Sequence, residues 1–207
     1  MSEPEAKPLR ITKAVMMASG AVTPPGPDNY RCQQCQLFNK TSAPFSDYPP
    51  EGPREATVII STSPLASDDM FWYDVRHSLF ADTGLDDENT VFLNPTLCTP
   101  YDRHVTAQQL RLCQPFIDNS LSELQPKRVM AMGANAVKQI AGDKATIKSL
   151  IGTELNWRGV PASVTYDPTM ALGDKPETLV SIHNHIMRMV HGLKRKLPDF
   201  PGWRKPK

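Results

Sequence analysis

The hydrophobic positions of this 207-residue chain fall into short apolar runs separated by longer amphipathic stretches. Four runs rich in β-branched or other apolar side chains and bounded by polar loops predict buried strands: ATVIIST at 56–62, TVFLNPT at 90–96, RVMAMG at 128–133 and VPASVTYDP at 160–168. Helical periodicity marks the stretches after them, at roughly 72–83, from a Thr106 N-cap to Pro126, at 134–142 and at roughly 176–193.

Strands that alternate with helices predict one α/β domain with a mainly parallel central sheet. Ligands of such sheets bind outside the carboxyl ends of the strands. We therefore expect the segments after the strands to share one rim: STSPLASDD, NPTLCTP, GAN and TYDPT. The folded domain is expected to span 30–195, with a loose or partly helical leader at 1–29 and a basic tail at 196–207.

Charge and composition exclude several classes of partner. The 23 Lys and Arg nearly balance the 22 Asp and Glu, so the net charge of the protein is too small to attract a polyanion. No run approaches the roughly 18–20 apolar residues of a membrane span, and the first residues lack the apolar core of a signal peptide. We expect a monomeric cytoplasmic protein without a membrane partner, whose basic tail is either a solvated end or a nucleic-acid contact.

The four cysteines are unevenly spaced. Cys32 and Cys35 form a C-x2-C pair, Cys98 follows the second predicted strand, and Cys113 lies in the next predicted helix. Buried thiols that pack as small hydrophobes are one interpretation. Structural zinc usually takes its second pair from another close knuckle, which the wide Cys98–Cys113 spacing is not. A cubane iron–sulfur cluster tolerates a wider spread, so the spacing favours iron–sulfur over zinc.

The order of the motifs resembles that of the family 4 uracil-DNA glycosylases. The matching pieces, spread over 30–195, are RCQQCQL, VIISTSPLASDD, NPTLCTP, LCQPF, PKRVMAMGANAV and NWRGVPASVTYDPT. The resemblance implies a three-layer α/β/α fold and a [4Fe–4S] cluster ligated by Cys32, Cys35, Cys98 and Cys113, with a structural or DNA-positioning role. It also implies DNA as the partner and cleavage of the N-glycosidic bond of a flipped-out base.

The first catalytic motif of that family, G-E-[AG]-P-G, is altered here to STSPL. Thr62 replaces the acid; it cannot act as a general base, although its hydroxyl can hold a water molecule. Ser63 and the retained Pro64 are candidates for base binding. Asp68, with Asp69 beside it, is a candidate to supply the missing acid. The alternative is that these two aspartates cap the following helix.

The second motif, H-P-[ST], is altered to Asp167-Pro168-Thr169. An ionised Asp167 repels negative charge that develops on a departing base, so its role must differ from that of the family's histidine. It can accept a hydrogen bond from an amino group on a base edge. It can also activate a water molecule in place of Thr62. The alternative is that Asp167 only caps a turn before the last helix.

Two further residues are candidates for holding the base. Asn94 matches the family's strand-end asparagine, which recognises the base; otherwise it is a turn residue before Pro95. Phe71, which we expect in the loop after the first motif, is the candidate for stacking on the base. Trp72 and Tyr73 are its rivals, and core packing of these aromatic side chains is the alternative.

Three functions are consistent with this sequence. The first is an iron–sulfur DNA glycosylase whose specificity has moved from uracil to another or a modified base. The second is a weak uracil glycosylase that relies on Asn94, stacking and backbone donors. The third is a non-catalytic DNA-binding or assembly module of replication, repair or defence. We favour an enzyme that hydrolyses N-glycosyl bonds, with the non-catalytic module as the alternative.

Overall fold

The computed structural model describes residues 35, 41–43, 52–53, 55–63, 65, 70–96, 99–100, 105–172 and 177–192. The expected leader at 1–29 and the basic tail at 196–207 lie outside these residues, so both remain predictions. Within the described part of the chain, none of the helices has the length and apolar character that crossing a bilayer requires.

The strands form one five-stranded sheet and one separate two-stranded pair. In chain order they are β1 (Thr41–Ala43), β2 (Thr57–Ser61), β3 (Thr90–Leu93), β4 (Thr99–Pro100), β5 (Arg128–Met132), β6 (Glu154–Trp157) and β7 (Val160–Thr165). The main sheet has the order β3-β2-β5-β7-β6. Its first four strands run parallel, and β6 pairs with β7 antiparallel. The small pair joins β1 and β4 antiparallel.

Helices cover both faces of the main sheet. They are α1 (Met70–Phe80), α2 (Ala107–Leu124), α3 (Ala134–Ala141), the one-turn α4 (Ile147–Leu150) and α5 (Glu177–His191), with a 3-10 helix at Pro168–Leu172. Apolar side chains of α2 and α3 pack on one face, and those of α1 and α5 pack on the other. The expected three-layer α/β/α domain with a mainly parallel sheet is therefore confirmed.

The alternation of side chains along β2 shows how one strand serves both layers. Val58 and Ile60 belong to the core on the α2 side, while Ile59 points into the core on the α1 and α5 side. All three are fully buried. A strand buried on both faces reads as a continuous apolar run, which is why these segments are recognisable in the sequence.

Helix α2 begins where the sequence predicts. Thr106 is its N-cap, its hydroxyl accepts from the backbone N–H of Gln109, and the Gln109 side chain accepts from the Thr106 N–H. This reciprocal capping box satisfies two of the N–H groups that a helix start leaves without partners. The helix ends at Leu124, and Gln125 follows in the left-handed conformation with φ of 47°.

Helix α1 differs from its predicted range of 72–83. It begins two residues earlier, at Met70, and ends at Phe80, whose carbonyl accepts from both the N–H and the hydroxyl of Thr83. Gly84 therefore lies in the turn that follows the helix. The expectation that Phe71 lies in a loop was wrong, since it occupies the first turn of α1.

Strand β6 was missed because its hairpin carries an unusual turn sequence. Arg158 and Gly159 connect β6 to β7 with φ values of 51° and 88°. Two-residue hairpin turns with positive φ at both positions favour Asn-Gly or Asp-Gly, so Arg-Gly gives no clear signal. Asn156 supports the turn from the strand end, since its side-chain oxygen accepts from Gly159 N–H at 2.7 Å.

His185 holds α5 against the end of β7. Its Nδ1 lies 2.9 Å from Oγ1 of the fully buried Thr165. Burial, followed by the nearby Arg188 guanidinium, lowers the pKa of His185 below its usual 6.5. Glu154 of β6 lines the same small cavity as His185 and Arg188.

Acidification should therefore destabilise the fold through His185. Because its folded-state pKa lies below the unfolded value of 6.5, the unfolded chain takes up the proton more readily. The stabilising contribution is present above pH 6.5 and is lost as the pH falls through the unfolded and then the folded pKa. Urea unfolding across this range should show a smaller pH dependence for His185→Asn, which keeps a hydrogen-bonding group for Thr165. The control His191→Asn, at the exposed end of α5, should follow the wild-type curve; identical curves for both variants would contradict the assignment.

Candidate active site

Four parallel strands place their following residues along one edge of the main sheet. Thr62 and Ser63 follow β2, Asn94 follows β3, Gly133 follows β5, and Asp167 lies two residues beyond β7. The strand order β3-β2-β5-β7 arranges these residues along the rim in the same order. The rim is where open parallel sheets bind their ligands.

The carboxylate of Asp167 is the centre of this rim. One oxygen, Oδ2, accepts from the Thr62 hydroxyl at 2.9 Å. The other, Oδ1, accepts from the Ser63 hydroxyl, from the Thr169 hydroxyl at 2.6 Å and from Thr169 N–H at 2.9 Å. Asp167 is only 8% exposed. Thr62 and Asp167, which lie 105 residues apart in the chain, are thus joined by a direct hydrogen bond.

Asp167 also caps a turn, as the alternative interpretation proposes. Its backbone carbonyl accepts from Met170 N–H at 3.0 Å, and its side chain accepts from Thr169 N–H. These contacts start the 3-10 helix that follows β7. The bonds from Thr62 and Ser63 come from the segment after a different strand, β2, however, and a turn cap does not require them.

Gly133 leaves the space in which the Asp167 side chain crosses the end of β5. Strand β5 lies between β2 and β7, so the carboxylate passes over the end of β5 to reach Thr62. Gly133 occupies that end with φ of 88°, and an added Cβ would lie 2.8 Å from both Cβ and Oδ2 of Asp167. A backbone without a side chain is therefore required at this position.

A side chain of α1 holds the loop after β2 in place. Leu65 is buried, and its carbonyl accepts from Arg76 Nη1 at 2.6 Å. Arg76 also pairs with Asp87 at 3.0 Å, which fixes the guanidinium. Of the candidates in this loop, Pro64 and Asp68 lie outside the described residues, so their roles stay predictions.

The three neighbouring aromatic residues of α1 have different surroundings. Trp72 is buried in the core on the α1 and α5 side, so core packing describes this rival. Phe71 is 50% exposed and meets the Trp72 ring edge-to-face, with 5.3 Å between ring centroids. Tyr73 is also exposed, but it lies beside His77 and the Arg76 guanidinium. Phe71 remains the candidate for stacking, now from a helix.

A buried glutamine fixes the segment that carries Asn94. Asn94 is half-buried directly after β3. Gln139 of α3 is 4% exposed, and its Nε2 donates to the carbonyl of Pro95 and, at 3.0 Å, to that of Leu110. One amide group therefore ties the turn beside Asn94 to the first turns of α2.

The structure describes two of the four candidate metal ligands. Cys35 is half-buried, and Cys113 is buried in α2, one turn beyond Leu110. Cys32 and Cys98 lie outside the described residues, and among those described no group of three or more candidate ligands comes together.

The backbone supports a shared location for the cysteine segments. Thr99, which directly follows Cys98, pairs with Ala43 of β1, in the segment after Cys35. Gln139 draws the segment before Cys98 to the helix that carries Cys113. Four thiols are the donor set that a cubane cluster takes; with two of the four outside the described residues, the cluster stays a prediction.

One groove in the described part of the chain lies away from the rim. It has a volume of about 630 Å³ and lies between the end of α1 and the loop that leads to β3. Tyr73, Arg76 and His77 line one side, and Asp86, Asp87 and Glu88 line the other. Apart from the rival Tyr73, its lining includes none of the predicted site residues, so we place the candidate site at the rim.

Three residues of the rim and its support were given no role in the sequence, although two of them, Gly133 and Thr169, lie in segments expected at the rim. The contact of Thr169 carries a recognisable signal, because the side chain of an Asp often accepts from the backbone N–H two residues on. Gly133 follows a strand and starts a helix, a position that often needs positive φ. Gln139 stands on the buried face of α3 with Ala136; a polar residue on an apolar face is its signal.

Comparison with known families gives one match. The family described as the uracil DNA glycosylase superfamily matches residues 36–193, which is more than half of the chain. No curated protein matches. The matched range includes the rim segments after β2, β3, β5 and β7, together with Cys98 and Cys113.

Replacing Gly133 with Ala should displace the Asp167 side chain. Backbone strain at such φ and ψ values costs about 1–3 kcal/mol for a non-glycine residue. The clash with Asp167 adds to that cost, so the free energy of unfolding in urea should fall further than strain alone explains.

Gly142→Ala is the matched control at the other end of α3. Gly142 has nearly the same backbone angles, with φ of 92°, and nothing lies within 4 Å of an added Cβ. The difference between the two variants measures the contact with Asp167. Equal losses of stability would show that Asp167 is not held against Gly133.

Proposed function

The chain belongs to the uracil DNA glycosylase superfamily, and from this premise we propose that it cleaves the N-glycosidic bond of a flipped-out uracil or modified base in DNA. The observation that carries the proposal is the hydrogen bond between Thr62 and the Asp167 carboxylate. This contact supports a role for Asp167 in place of the acid of the family's first motif, because it holds a carboxylate beside the residue that we align with that acid.

The chemistry needs negative charge near the sugar. Glycosidic cleavage passes through an oxocarbenium-like state, which a nearby carboxylate stabilises. As the bond from C1′ to the base breaks, its electron pair leaves with the base, and a water oxygen bonds to C1′. The Asp167 carboxylate accepts the proton of this water, directly or through the Thr62 hydroxyl.

The remaining rim residues position the nucleotide. Asn94, fixed through Pro95 and Gln139, reads the edge of the base. Phe71 stacks on its face from the start of α1. Met70, Phe71 and Met170 are 75%, 50% and 45% exposed, and their apolar side chains suit contact with unstacked DNA bases.

We assign the chain to the iron–sulfur type of the superfamily. Cys32, Cys35, Cys98 and Cys113 would hold a [4Fe–4S] cluster between the N-terminal segment, the loop after β3 and α2. The pairing of β1 with β4 supports this arrangement. The cluster would tie these segments together when bound. The protein would act as a cytoplasmic monomer with DNA as its partner.

One observation favours the non-catalytic alternative. The Asp167 carboxylate accepts four hydrogen bonds from the protein itself, three of them at Oδ1. A carboxylate held this firmly is well suited to a structural role. On that alternative the same rim binds DNA, and the protein serves as an assembly module in replication, repair or defence.

Base release tests the catalytic proposal. The chain is incubated with single- and double-stranded DNA carrying uracil, hypoxanthine, xanthine or hydroxymethylated pyrimidines, and alkali then cuts the abasic sites. We expect cleavage on at least one base and a rate at least about 100-fold lower for Asp167→Ala. The control Asp143→Ala removes a half-exposed carboxylate paired with Arg111 and should keep the wild-type rate. DNA binding without base release would favour the non-catalytic module.

Metal analysis tests the cluster. Protein purified without oxygen should hold about four iron atoms per chain and show broad visible absorbance. Cys113→Ser should lose the iron, because it removes one thiolate. Ser120→Ala, a change at another buried position of α2, should keep it. Zinc in place of iron, in folded wild-type protein, would refute the assignment.

A further inference from the structure

The hydroxyl groups around Asp167 have a fixed hydrogen-bond direction. Each hydroxyl carries one proton, and those of Thr62, Ser63 and Thr169 all point to the carboxylate. The hydroxyl oxygens can therefore offer a ligand only their lone pairs. Thr62 and Thr169 are half-buried, so their lone pairs can face a ligand at the rim. These side chains, and Asp167 itself, can only accept.

Backbone N–H groups of the same rim are also engaged within the protein. Ser63 N–H donates to Ser61 Oγ at 3.0 Å, and Gly133 N–H donates to the Thr165 carbonyl at 3.1 Å. The N–H groups of Thr169 and Met170 donate to Asp167. These groups are therefore not directed at the carbonyl oxygen of a base.

We infer that the rim formed by Thr62, Asp167 and Thr169 selects a base that presents an amino group to it. This inference rests on the proposed function and narrows its substrate class. Cytosine-type and adenine-type edges carry an exocyclic amino donor, whereas uracil-type and hypoxanthine-type edges carry a carbonyl acceptor in its place. A carbonyl would meet the lone pairs of Thr62 and the negative charge of Asp167, and both contacts are repulsive.

Binding to DNA probes that differ in one base tests the inference, because it does not require catalysis. Single-stranded oligonucleotides carry one 2′-fluoro nucleotide, which slows glycosidic cleavage, with cytosine or uracil in one set and adenine or hypoxanthine in the other. Fluorescence anisotropy with the full chain measures each affinity. The amino member of at least one set should bind about tenfold tighter or more than its keto partner.

Variants assign the preference to the carboxylate. Asp167→Asn should abolish or reverse it, since an amide supplies its own donor and releases the hydroxyls. Thr62→Val keeps the shape of the side chain and removes one hydrogen-bond acceptor, so it should weaken the preference. This variant also tests the inference if Asp167→Asn does not fold. Asp143→Asn, at the surface pair with Arg111, is the matched control and should keep the preference.

The outcomes separate this inference from the proposed function. Equal or tighter binding of the keto members, or a preference that survives in both Asp167→Asn and Thr62→Val, would overturn the inference. Base release from uracil alone would also overturn it while supporting the glycosylase. An amino preference without base release would support the inference and refute catalysis. Absence of binding to every probe would overturn both.

Discussion

The rim of this protein depends on one buried carboxylate, which requires hydrogen-bond donors from the protein. Removing a charged group from water is costly unless hydrogen bonds replace the lost hydration. Asp167 finds its donors by crossing from β7 to β2 over the glycine that ends β5. The direction of the β2 loop, the orientation of three hydroxyls and the start of the 3-10 helix are all set by this requirement.

A second polar contact stabilises the other half of the rim. Gln139 is buried within an apolar layer, where an amide is tolerated only if its hydrogen-bonding groups are satisfied. Its Nε2 reaches two carbonyls that belong to different elements, Pro95 after β3 and Leu110 in α2. The position of Asn94 is therefore connected, through Gln139, to the helix that carries Cys113.

The layers of the fold could be predicted from the sequence because each depends on local pattern. Strands buried on both faces read as apolar runs, and the Thr106–Gln109 capping box marks the start of α2. The hairpin at Arg158-Gly159 has no such pattern, and the first turn of α1, with Phe71, comes directly after a polar stretch of sequence. Thr62 and Asp167 were recognised separately, as departures from two motifs. Their mutual contact depends on the strand order, which no local signal reports.

The crossing of Asp167 over Gly133 also constrains how this rim can evolve. Positions 62, 63, 133, 167 and 169 form one set of mutually dependent contacts, in which a change at one leaves a buried partner unsatisfied or meets a steric clash. Effects of substitutions within such a set are not additive. A histidine at 167 is therefore unfavourable unless 62 and 63 change with it, so the residues tolerated at these positions depend on one another.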